Sequence, residues 1–171
     1  MTRTALVLTI SDGVAAGTRE DESGAALAAR LTELGFAVER QAVADEIDDI
    51  AKAVAKASDR FELVVSTGGT GLGPRDRTPQ TLHGLLDYKI PGFGEQMRAY
   101  GRGKTPMADL SRSMAGALGS TLVIATPGSR SGALDSLAAV EEILEHALET
   151  LGGRTQHANA AIPAHDHPEI G

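Results

Sequence analysis

The residues best suited to chemistry lie between positions 66 and 79, which read Ser66-Thr67-Gly68-Gly69-Thr70-Gly71-Leu72-Gly73-Pro74-Arg75-Asp76-Arg77-Thr78-Pro79. Four glycines fall within the six positions 68–73. Without Cβ atoms such a turn can take positive φ and bring its N–H groups close to an anion, most often phosphate. Thr67 and Thr70 add hydroxyl donors, and Asp76 stands between the guanidiniums of Arg75 and Arg77. Thr78 suits an N-cap and Pro79 the first helical position. The spacing matches neither a P-loop, which would close on Lys-Ser or Lys-Thr, nor the dinucleotide fingerprint. A tight strand-to-helix connection would use the same glycines without a ligand, and an aspartate at a helix start also serves the helix dipole.

The elements around this turn follow from hydrophobic periodicity. Phe61-Glu62-Leu63-Val64-Val65 is an apolar, β-branched run that predicts a strand over 61–66, and the leucines at 82, 85 and 86 predict a helix over 79–87. Thr4 to Ile10 predicts a buried strand, followed by a loop over 11–18. A helix then starts at Asp21 or Ser23, buries Ala26, Leu27, Ala28, Leu31 and Leu34, and stops at Gly35. Phe36–Val43 is the second strand by position. The next helix opens with acids at 45–49 and faces inward through Ile47, Ile50, Ala51, Val54 and Ala57. Residues 89–94 predict a loop, Glu95–Tyr100 a short helix, Met107–Ala117 a further helix, and Ser120–Ala125 a buried strand. The leucine-rich repeat from Leu134 to Leu151 predicts one long last helix, stopped by Gly152-Gly153.

Alternating strands and helices call for an α/β fold whose mainly parallel sheet is covered on both faces. With the second strand outside the first and the third on its other side, a crevice opens at the strands' carboxyl ends. Three loops then meet at one rim: the one holding Ser11 and Asp12, the glycine turn, and Pro127-Gly128-Ser129, with Asp45 and Asp76 beside them. Amides, hydroxyls, arginines and two aspartates at such a rim suit Mg²⁺-assisted phosphoryl or nucleotidyl transfer.

Composition narrows the classes further. At 171 residues one domain is expected, over 1–153, with a polar tail over 154–171. The histidines of that tail, His157, His165 and His167, have no spacing that organises a metal shell. No cysteine is present, so disulfides and thiolate nucleophiles are excluded. The N-terminus reads as a strand rather than a signal peptide, and no apolar run reaches the ~20 residues of a membrane helix, so a cytoplasmic location is expected. The net charge of −7 argues against nucleic-acid binding. Residues 61–130 nevertheless carry eight Lys/Arg against five acids, leaving −10 for the remainder. Positive charge is thus reserved for the region of the glycine turn, as a small anionic ligand requires.

Thr67-Gly68-Gly69-Thr70-Gly71 with Pro74-Arg75-Asp76 and Thr78-Pro79 resembles the signature of the molybdenum-cofactor biosynthesis proteins of the MogA/MoaB type, which share their fold with the gephyrin G domain. Ser11-Asp12, Asp21, Ser23-Gly24, Asp45-Glu46, Pro91-Gly92-Phe93-Gly94-Glu95-Gln96-Met97-Arg98, Leu110-Ser111-Arg112 and Pro127-Gly128-Ser129 extend the resemblance over about residues 4–151. It implies a three-layer α/β/α sandwich, a homotrimer, and molybdopterin as ligand, with AMP passed from Mg-ATP to the molybdopterin phosphate and onward hand-over to a molybdenum-insertion protein. It further implies that Asp45 and Asp76 organise Mg²⁺ and catalysis. Ser11, Asp12, Thr67, Gly68, Gly69, Thr70, Gly71, Arg75, Ser111, Pro127, Gly128 and Ser129 would hold the substrates. The chain departs from the pattern in having Arg130 after Pro127-Gly128-Ser129 and Ala44 before Asp45, where prolines are common. The same resemblance accommodates a non-catalytic molybdopterin carrier, and a related fold serves nucleotide pyrophosphatases.

Overall fold

A computed structural model of the chain describes residues 2–153. Its centre is a six-stranded sheet: β1 (Thr4–Ile10), β2 (Ala37–Val43), β3 (Leu63–Thr67), β4 (Tyr88–Lys89), β5 (Met114–Leu118) and β6 (Thr121–Thr126), in the order β2-β1-β3-β6-β5-β4. The pairs β1–β2, β1–β3 and β3–β6 are parallel, and the β6–β5–β4 edge is antiparallel. The second strand therefore lies outside the first with the third on its other side, as expected, and the sheet is mostly parallel.

Period-2 alternation divides the strand residues between two cores. Val7, Val65 and Ile124 face one layer, in which α2 (Glu22–Glu33), α5 (Pro91–Arg102), α6 (Arg130–Ala138) and α7 (Glu141–Leu151) contribute Leu27, Leu31, Phe93, Met97, Leu137, Leu144 and Leu148. Leu6, Leu8, Val64 and Val123 face the other, where α3 (Ile47–Ser58) and α4 (Thr78–Leu85) supply Ile50, Val54, Ala57 and Leu82. The result is a single-domain three-layer α/β/α sandwich. Asp21 caps α2 by accepting from the Gly24 N–H at 2.9 Å, and Gly35 leaves the helix at φ 90°.

Several sequence expectations are corrected. Residues 106–118 are a 3-10 turn, Pro106–Leu110, and then β5 rather than one helix, because the Met114–Leu118 backbone pairs with β6. Lys89 belongs to β4, and the helix expected from Glu95 already begins at Pro91. The loop after β1 contains the short helix α1 (Asp12–Ala15). The last helix is two, α6 and α7, whose leucines keep one spacing because both cover the same core. Ile47, Leu34 and Ile143 are exposed rather than buried, at 46%, 37% and 45%. The tail from residue 154, with its three histidines, lies outside the described residues.

Candidate functional site

The carboxyl ends of β1, β3 and β6 are laced together at one edge of the sheet. The Ser11 N–H donates to the Val43 carbonyl at 2.9 Å, and the Gly68 N–H donates to the Thr126 carbonyl at 3.2 Å. Gly68 sits at φ 107°, and a Cβ there would run into the Ile10 carbonyl oxygen. The turn can pass over the end of β1 only because this residue is glycine. The Thr67 hydroxyl donates to the Pro127 carbonyl at 2.8 Å, and the Thr78 hydroxyl donates to the Gly68 carbonyl at 2.9 Å. Thr78 is therefore not the N-cap expected of it. Arg77 holds that position without a side-chain bond, and the Thr78 hydroxyl fixes the turn instead.

Two cavities open on this rim and share Gly69, Gly128 and Ser129. The larger, about 590 Å³, has Met97, Met107, Leu110 and Leu72 as apolar walls, with Asp76, Arg98, Ser111 and Asp135 at its margin. The smaller, about 500 Å³, is polar and is bounded by Ser11, Thr67, the arginines Arg19 and Arg130, and the acids Glu20, Asp21, Glu22 and Asp45. Arg19 and Arg130 have no ion pair among the described residues. Ser129 caps α6, its hydroxyl accepting from the Gly132 N–H at 3.2 Å, so the positive end of that helix points at the junction of the two cavities.

The acids divide into committed and available groups. Asp12 and Asp45 clasp each other reciprocally: the Asp12 N–H donates to Asp45 Oδ2 at 2.9 Å and the Asp45 N–H to Asp12 Oδ1 at 3.0 Å. Arg75 pairs with Asp12 at 2.8 Å and Glu46 at 3.0 Å. The hydrogen bond to Glu46, followed by the charge of Asp12, raises the Arg75 pKa. Arg75 therefore ties loops together on the outside of the rim and lines neither shared cavity. Asp76 turns one oxygen, Oδ2, to the Gly73 N–H at 2.8 Å. Asp45 and Asp76 each keep a second oxygen without a hydrogen bond, and neither has an ion pair among the described residues. No group of three or more His, Cys, Asp or Glu side chains able to hold a metal occurs among the described residues. Asp76 on the apolar side and Asp45 on the polar side each offer a carboxylate oxygen, the type of donor Mg²⁺ takes when it binds chiefly through a substrate.

The sequence of residues 6–150 matches the family described as a probable molybdopterin binding domain. The chain belongs to this family. It is 42% identical to a molybdenum cofactor biosynthesis bifunctional protein of Chlorobaculum tepidum, over 86% of the chain and 48% of that protein. The chain thus spans about half the length of such bifunctional relatives. It is 37% identical to a molybdopterin adenylyltransferase of Helicobacter pylori, with 90% of both chains covered. Among solved structures, a MogA substructure matches with a TM-score of 0.84 at 37% identity, covering 87% of this chain and 99% of that one. MoaB of Thermus thermophilus matches with 0.80 at 42% identity, covering 90% and 98%.

In this member of the molybdopterin-binding-domain family, the residues expected at the site fall into three places. Thr70, Gly71, Asp76 and Ser111 line the apolar cavity; Ser11, Thr67, Gly68 and Asp45 line the polar one; Gly69, Gly128 and Ser129 belong to both, with Pro127 on the apolar side. Asp12 and Arg75 line neither. The buried Thr67 hydroxyl is already used by Pro127. Sequence reading passed over Arg19, Arg98, Arg130 and Asp135. Arg98 and Arg130 lay within or beside motifs already singled out, but Arg19 and Asp135 are brought in only by packing.

Proposed function

We propose that this chain acts in molybdenum cofactor biosynthesis as a molybdopterin adenylyltransferase. The observation that carries the reading is the pair of unlike cavities meeting at Gly69, Gly128 and Ser129. Each partner in an AMP transfer joins a flat heterocycle to phosphate, and two chambers meeting at one junction give both room with their phosphates side by side. The apolar cavity suits a flat heterocycle. In the polar one, Arg19, Arg130 and the first N–H groups of α6 can meet a polyphosphate, and the lining acids, Asp45 among them, suit one that arrives with Mg²⁺. The names of the Helicobacter relative and of an Escherichia coli molybdopterin adenylyltransferase, 32% identical over 80% of the chain, agree with it.

In the reaction, an oxygen of the terminal phosphate of molybdopterin attacks the α-phosphorus of ATP. The bond from that phosphorus to the α–β bridging oxygen breaks, and pyrophosphate leaves with the electron pair. The chain supplies position and charge, the main contributions a protein makes to phosphoryl and nucleotidyl transfer. Asp45 and Asp76 would hold Mg²⁺, which neutralises phosphate charge as the bond to pyrophosphate breaks. The glycine turn offers amides to the attacking phosphate, and Arg19 and Arg130 bind the departing one. A homotrimer and hand-over to a molybdenum-insertion protein belong to the same proposal. Ultracentrifugation at working concentration tests the first.

The enzyme and a non-catalytic carrier are separated by Asp76→Asn and Asp45→Asn. In the enzyme, each variant retains molybdopterin binding and loses AMP transfer by at least about 100-fold, the scale of losing one charge-stabilising group. Variants that transfer AMP as the parent does would refute the assigned acids.

A further inference from the structure

Arg112 spans residues 70–76 of the glycine turn with three bonds. Its main-chain N–H donates to the Thr70 carbonyl at 3.0 Å, its Nε to the Gly71 carbonyl at 2.8 Å and its Nη2 to the Asp76 carbonyl at 2.6 Å. The fork of the guanidinium thus closes on the two carbonyls that begin and end the Gly71–Asp76 bend. The bend's own bonds are local: the Asp76 N–H to the Gly73 carbonyl at 3.0 Å and the Gly73 N–H to Asp76 Oδ2. The other ties, from Arg75 to Asp12 and Glu46, join side chains about half exposed and are correspondingly weak. A second arginine secures the strap from which Arg112 reaches. Arg98 Nη1 donates to the Ser113 carbonyl at 2.9 Å, and the Ser111 and Ser113 hydroxyls lie 2.7 Å apart.

We infer that Arg112 is a positioning residue, which fixes the Gly71–Asp76 bend and so aims the Asp76 carboxylate into the cleft. It does not line either cavity, and its Nε and Nη2 are turned to backbone carbonyls. Its work is geometric rather than electrostatic toward the ligand. A lysine, one point of charge with no planar fork, cannot hold two carbonyls in a fixed relation. The inference rests on the role given to Asp76 above.

The test compares Arg112→Gln, Arg112→Lys, Asp76→Asn and the double variant Arg112→Gln/Asp76→Asn with the parent chain. Amide hydrogen exchange over residues 71–76 is measured beside AMP transfer from Mg-ATP to molybdopterin. The expected result is exchange at least tenfold faster in the bend of both Arg112 variants, with β1 and β3 amides protected as in the parent. AMP transfer should show kcat lower by about 10–100-fold with KM for both substrates within threefold. Lysine should recover less than a tenth of the loss, and the double variant should be no slower than Asp76→Asn alone. Unchanged exchange in the bend, full recovery by lysine, or losses that multiply in the double variant would overturn the inference. If the parent transfers no AMP, the functional proposal fails, and the exchange comparison still decides whether Arg112 holds the bend.

Discussion

Replacing Gly68 by alanine isolates the feature on which the rim depends. At φ 107° an L-residue is strained, which costs about 1–3 kcal/mol. The new Cβ would also press on the Ile10 carbonyl, a backbone atom paired into β1 that cannot swing aside as a side chain could. Any shift of the turn stretches the bond from the buried Thr78 hydroxyl to the Gly68 carbonyl, worth about 1 kcal/mol. The sum is about 2–4 kcal/mol, or a melting temperature lower by roughly 5–15 °C for a chain of this size. Gly84 is the control. It lies in α4, a Cβ there meets nothing within 4 Å, and alanine should stabilise by about 0.4–1 kcal/mol through the unfolded chain. Urea unfolding followed by circular dichroism measures both. Gly68→Ala within about 0.5 kcal/mol of the parent would refute the close-approach argument.

Three further outcomes follow from particular contacts. Leu82 is fully buried between α3 and the sheet, so Leu82→Ala should cost about 2–5 kcal/mol in the same unfolding assay. The Arg30 hydrogen bonds to Glu141, at 2.8 and 2.7 Å, hold the Glu141 carboxyl below its ordinary range. A carboxyl depressed in the folded state stabilises above its unfolded value of about 4.3 and loses that contribution as pH falls through the folded value. Glu141→Gln should therefore be less stable than the parent at pH 6, and the gap should close toward pH 3, as read by melting temperature against pH. In the polar cavity, Arg130→Ala should weaken ATP binding about tenfold by calorimetry while leaving molybdopterin binding unchanged, because Arg130 lines only that cavity.

Much of this architecture is legible in the residues. Apolar β-branched runs mark β1, β3 and β6, and the alternation of strands and helices calls for the parallel sheet in which the order β2-β1-β3 is found. The glycine turn marks the edge where the loops gather. The segment 106–118 is not legible in this way. Met, Ala and Leu favour helix in isolation, yet Met114–Leu118 pairs with β6. On its other side Gly116 admits β4, since a Cβ there would lie 2.5 Å from the Tyr88 carbonyl. The break between α6 and α7 is equally silent, with neither proline nor glycine at Ala139-Val140. At the site, residue type suggests ligand contact for Thr67, Thr78 and Arg75, but hydroxyls and guanidiniums are also the means by which loops are tied. In this chain those three groups bond to Pro127, Gly68, Asp12 and Glu46. Only the folded arrangement separates such ties from Asp45 and Asp76, whose second oxygens remain available.

In the proposed function, two cavities joined at Gly69, Gly128 and Ser129 bring a pterin phosphate and a nucleotide into reaction. The most direct measurement is anaerobic incubation of the chain with molybdopterin, ATP and Mg²⁺, following adenylylated molybdopterin and pyrophosphate together. Both should appear, in equal amounts and over many turnovers. Molybdopterin bound tightly with neither product formed would contradict it and make the chain a carrier, and pyrophosphate or AMP released without adenylylated pterin would make it a hydrolase.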